Sequence, residues 1–167
     1  MAPLLQEQRE TVRATQELRR QLMTVLTDED LAFRPHPACL TLGELCREMG
    51  EVQRTYIGSL RTFRQDFSYR HAADVSRSVA ELSAWYAQLD RELEAVSDAL
   101  TEQDLGRRVD CGHGFARPLP EQFHIYHEAL LIFYAKAHVY LKALGKRVPG
   151  HWQWWIGDLA DYESVTE

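Results

Sequence analysis

Apolar residues recur along most of this chain at steps of three and four, the spacing that gathers them on one side of an α-helix. The clearest run is Val79, Leu82, Tyr86, Leu89, Leu93, Val96 and Leu100. A second long run reads Phe123, Tyr126, Leu130, Phe133, Ala137, Tyr140 and Leu144. Leu42, Leu45, Met49, Val52 and Tyr56 form a third, continuing less regularly to Leu60 and Phe63. The weakest comprises Val12, Thr15, Leu18, Leu22 and Val25. Each run holds one seam of a helix against its neighbours. Four amphipathic helices of this length predict an all-α fold, a four-helix bundle.

The polar punctuation fits those helices. Thr41 and Glu44 form a T-x-x-E capping box before the Leu42 run. Pro118 and Pro120 precede the last helix, with Pro120 suited to its first turn. Gly145 stands where that helix should stop, and Pro149 lies beyond it. Between the third and fourth helices, Gly112 and Gly114 suit an irregular loop or a short hairpin. His151 to Gly157 (HWQWWIG) places Trp152, Trp154 and Trp155 close together. Such a cluster predicts either a lid over one end of the bundle or an aromatic pocket wall or dimer contact.

Composition narrows the function classes. The 167 residues are expected to form one domain, 1–167, able to bury a core without disulfides. A net charge of −6 argues against a nucleic-acid binder or a polybasic membrane anchor. The most apolar stretch, Ala129 to Leu141, is interrupted by Lys136 and His138 and is too short for a membrane span. Cys39, Cys46 and Cys111 are odd in number and lack a C-x-x-C pair, which points to a reducing cytoplasmic setting.

Three segments carry a family resemblance. They are Leu31-Ala-Phe-Arg-Pro-His-Pro-Ala-Cys-Leu-Thr-Leu-Gly-Glu-Leu45, Leu100-Thr-Glu-Gln-Asp-Leu105 and Ala135-Lys-Ala-His-Val-Tyr-Leu-Lys-Ala-Leu-Gly145. Together they resemble the DinB/YfiT-like superfamily. The resemblance implies a four-helix bundle with long connections, often a homodimer, holding a divalent metal. Relatives of this kind include metal-dependent thiol S-transferases and a maleylpyruvate isomerase. The implied ligands are three histidines, one on the second helix and two spaced i, i+4 on the fourth. Residues i and i+4 share a helix face, and three ligands leave a coordination position open for water or a thiolate.

Matched to that pattern, the second-helix histidine falls on Glu48. Matching Val139-Tyr-Leu-Lys-Ala-Leu-Gly145 puts the fourth-helix ligands at Ala129 and Phe133. Matching His127-Glu128 instead retains one histidine and places the second ligand at Leu131. An insertion within a helix is disfavoured, so the longer C-terminal match sets the register. All three family positions then carry other residues.

Could other groups rebuild a site? At about 100° per residue, His124, His127, Glu128 and His138 share a side away from the apolar seam. That stripe reads as solvated or as a dimer contact; a relocated metal set would use Glu48, His124 and Glu128, with His127 nearby. Glu44, Glu48 and Glu51 form an acidic stripe beside the second seam. An inward Glu48 could pair with Lys136, or Lys136 could extend to solvent. Cys39 precedes a helix N-terminus and is expected to be buried or idle, Cys46 reads as core, and Cys111 shares a loop with His113. The leading expectation is a DinB-like bundle without the metal triad, binding a small molecule or serving as a structural homodimer. The alternative is a divalent-metal hydrolase or thiol S-transferase with relocated ligands.

Overall fold

The computed structural model describes residues 3–150 and Trp152. Its four long helices are α1 (Pro3–Val25), α3 (Leu42–Thr62), α4 (Val79–Ala99) and α6 (Leu119–Ala143). Single turns of helix, α2 (Asp28–Leu31) and α5 (Glu102–Leu105), sit in the connections, with a 3-10 turn at Val75–Arg77. Around the bundle the order is α1, α6, α3, α4, closing on α1. The seams point inward: Leu82, Leu89, Leu42, Leu22 and Leu130 are all buried.

Local chemistry sets the helix ends. The Thr41 hydroxyl accepts from the Glu44 N–H at 3.1 Å, and Glu44 accepts from the Thr41 N–H at 2.7 Å, the box expected to open α3. Thr27 and Asp30 build the same device for α2. At the end of α6, Gly145 takes φ +67. Its N–H donates to Lys142 O, and the Lys146 N–H donates to Leu141 O, the paired bonds of a Schellman stop. Lys146 then ties this end to the first connection, 2.6 Å from Asp30 and donating to Val25 O at 2.8 Å. Burial opposes ionisation of Asp30, but the Lys146 and Thr27 bonds outweigh it and hold its carboxyl below the usual range.

The loop between α5 and α6 is a short hairpin. Strand β1 (Arg108–Asp110) pairs antiparallel with β2 (Ala116–Pro118), Val109 opposite Arg117. Gly112, His113 and Gly114 all take positive φ in its turn, where the two glycines carry no steric penalty. No helix among the described residues is long and apolar enough to cross a membrane.

Candidate functional site

Glu48, Ala129 and Phe133 come from two helices and meet at one cavity of about 180 Å³. It lies in the groove between α3 and α6, and Lys136 lines it too. Leu45, Met49, Val52 and Ile132 complete walls that are otherwise apolar. A larger cleft of about 350 Å³ adjoins it, sharing Glu48 and Val52 and adding Phe67, Tyr69 and Arg70.

Of the three acidic residues on this side of α3, Glu51 is the buried one, whereas Glu48 is exposed. Glu51 accepts from the His71 N–H at 3.0 Å and lies 3.7 Å from Arg47 and 3.9 Å from Arg70. Glu44 is held in its capping box, with Arg34 at 3.5 Å. The Thr41 N–H bond is the main reason its carboxyl lies below the ordinary value. Glu48 and Lys136 share the small cavity as exposed groups, with no direct ion pair between them within 4.0 Å.

His124 and His127 of α6 stand elsewhere. His124 is exposed and lies 3.2 Å from Glu128, one turn along the same helix. His124 and His127 line a separate cavity with Glu7, Gln8 and Thr11 of α1. His124 sits five residues before Ala129, about 140° around the helix, so it cannot face the same groove. The relocated set of Glu48, His124 and Glu128 is therefore not brought together. Burial and neighbouring His124 hold the His127 imidazole below its ordinary value, against the pull of Glu128.

A polar centre with no counterpart in the sequence reading joins three helices. Arg19 of α1 is 1% exposed. Its guanidinium donates to Gln53 Oε1 of α3 and to Asp90 Oδ1 of α4, each at 2.5 Å. The Gln53 amide closes the ring by donating to Asp90 Oδ1 at 2.8 Å. The guanidinium also stands 4.1 Å from the centre of the Tyr86 ring, a cation–π contact. Beside this centre, a cleft of about 460 Å³ opens between α1 and α4.

The family model described as the DinB superfamily matches residues 11–130. This chain belongs to the DinB superfamily. A crystal structure of a DinB-like protein from Bacillus subtilis superposes with a TM-score of 0.71. That similarity covers 86% of this chain and 95% of the other at 13% identity, a likeness of fold. No curated protein matches. The family match includes Glu48 and Ala129 and ends before Phe133 and Lys136.

Do the residues of this DinB-superfamily chain fit the metal that the resemblance implies? At the three positions that the resemblance implies, Glu48 is the single donor, and Lys136 lines the same cavity. A divalent ion held by one protein ligand beside a cation lacks the three or four donors such sites need. The cavity residues do not fit the metal. Among the described residues, no three His, Cys, Asp or Glu side chains gather as a metal cluster.

The remaining candidates separate by burial. Cys46 is buried, and desolvation pushes its thiol up to about 12 despite Tyr86 and Arg19, so it is a core group. Cys111 is half-buried and Cys39 exposed, which removes the buried reading of Cys39. Trp152 is fully buried, its ring centre 5.2 Å from that of Tyr134 and its indole N–H donating to Leu18 O at 2.9 Å. It is a core residue on the α1–α6 side. Trp154 and Trp155 lie outside the described residues.

Proposed function

We propose that this chain is a small-molecule-binding bundle whose site is the α3/α6 cavity. The supporting observation is that Glu48, Ala129 and Phe133 surround one cavity although only one of them can donate to a metal. The cavity pairs an apolar wall with a few polar groups at its mouth, the usual make-up of a ligand pocket. Function belongs to the site rather than the scaffold, and this site lacks the donors for metal-assisted transfer or hydrolysis. Its free cysteines suit a reducing, cytoplasmic setting.

Two measurements on untagged protein test this reading. Elemental analysis is expected to find only traces of transition metal. A fragment screen by NMR is expected to find compounds that shift the methyl signals of Met49 and Ile132. Near-stoichiometric zinc, nickel or manganese, lost in E48Q or H124A, would overturn the proposal.

The exposed stripe of α6 that starts at the rim of this cavity with Ile132 supports a homodimer as well. Ile132 is 57% and Val139 58% exposed, two turns apart on one helix. Large apolar side chains repeated along one exposed stripe mark an association surface. Light scattering should give a dimer for the native chain and a monomer for the I132E/V139E variant. A monomeric native chain would end this reading.

A further inference from the structure

We infer that the α3/α6 cavity takes a small zwitterion with an apolar body, chemically an α-amino acid with an aliphatic or aromatic side chain. The inference rests on the binding-bundle reading and names the class of its ligand. Glu48 and Lys136 bring one negative and one positive group to a single cavity, one from each helix. Both are exposed, and they do not pair directly with each other.

The neighbouring charges are already engaged, which leaves these two for a ligand. Glu44 is held by the Thr41 N–H at 2.7 Å and Glu51 by the His71 N–H at 3.0 Å. Arg47 and Arg70 both lie within 3.9 Å of Glu51. Glu48 is thus available to an ammonium group and Lys136 to a carboxylate. In the same cavity, Leu45, Met49, Ile132 and Phe133 offer an apolar wall.

Size narrows the ligand further. A volume of about 180 Å³ falls below that of pockets built for drug-sized ligands. It suits a molecule with an ammonium and a carboxylate on one carbon and one short side chain. A simple amine would leave Lys136 unanswered, and a simple carboxylate would leave Glu48 facing a like charge. The neighbouring cleft, which shares Glu48 and Val52, gives room for a longer side chain.

The test is an NMR titration of the full chain with leucine, isoamylamine and isocaproate, which share one isobutyl group and differ in their charges. Leucine is expected to bind about fivefold more tightly than either single-charge analogue, the advantage one exposed ion pair confers. That advantage should shrink as salt is raised. E48Q should abolish the preference for leucine over isocaproate, and K136Q its preference over isoamylamine. Both side chains are exposed, so either variant should keep the native circular dichroism. Equal affinity for leucine and isoamylamine, or for leucine and isocaproate, would overturn the zwitterion. So would the absence of binding by all three probes. The wider binding reading is judged separately: it survives this result if the fragment screen finds compounds at Met49 and Ile132, and fails if that screen also finds nothing there.

Discussion

Replacing Asp90 by Ala is expected to destabilise the fold by about 3 kcal/mol, read as a lower midpoint in urea denaturation. The substitution strands the Arg19 charge, because Asp90 is the carboxylate on that buried guanidinium. Arg19 cannot escape by losing its proton. Burial opposes its charge, but Tyr126, Asp90, Tyr134 and Tyr86 together outweigh burial and keep its pKa above the ordinary value. Breaking a buried pair from one side costs about 3–5 kcal/mol. The low end applies because the Asp90 side chain is 37% exposed, so water reaches that end of the pair.

The double variant R19M/D90A gives the sharper result. Removing both charges leaves no stranded ion, so it should be more stable than D90A alone. The coupling energy from the double-mutant cycle then reports the pair itself. Gln53 must be kept in all four proteins, since its amide bonds to both partners. A cost below about 1 kcal/mol for D90A would mean that Arg19 finds another partner at little expense.

The seams were legible because apolar periodicity records which side of each helix is covered, and Leu82, Leu89 and Leu130 lie where their spacing puts them. The Thr41 box was legible because a cap is a local device, complete within four residues. Which carboxylate of α3 turns inward was not. Glu48 and Glu51 differ by less than one helical turn, and the residues that hold Glu51, Arg70 and His71, come from a distant loop.

The buried ring was also missed, although a trace of it was present. Arg19 stands four residues after Thr15 and three before Leu22, Gln53 four after Met49, and Asp90 four after Tyr86. All three polar residues therefore occupy seam positions on three different helices. A sequence read one helix at a time offers no reason for them to meet. In the α3/α6 groove, the three positions that the resemblance implies, Glu48, Ala129 and Phe133, line one cavity. His124 and His127 fell on the α1 side because the helix turns about 100° per residue.

Gly43→Ala is expected to cost about 3 kcal/mol or more, beyond the usual penalty for one added methyl in a packed core. A β-carbon at Gly43 would lie 1.8 Å from the carbonyl oxygen of Ser76 and 3.1 Å from that of Leu31. Both are backbone atoms, so no side-chain rotation relieves the contact. The Ser76 segment is itself tied down, its N–H donating to Asp74 at 3.2 Å, with Val75 and Ser76 buried. The start of α3 is equally fixed by the Thr41 box. Gly58→Ala in the same helix is the control, since nothing lies within 4 Å of its new β-carbon. There the gain in helix propensity should stabilise the protein by about 0.5–1 kcal/mol. Urea denaturation of the two variants should therefore move in opposite directions. A Gly43→Ala protein as stable as the native chain would show that the 3-10 turn can slide away from α3, and that this crossing does not hold the bundle's register.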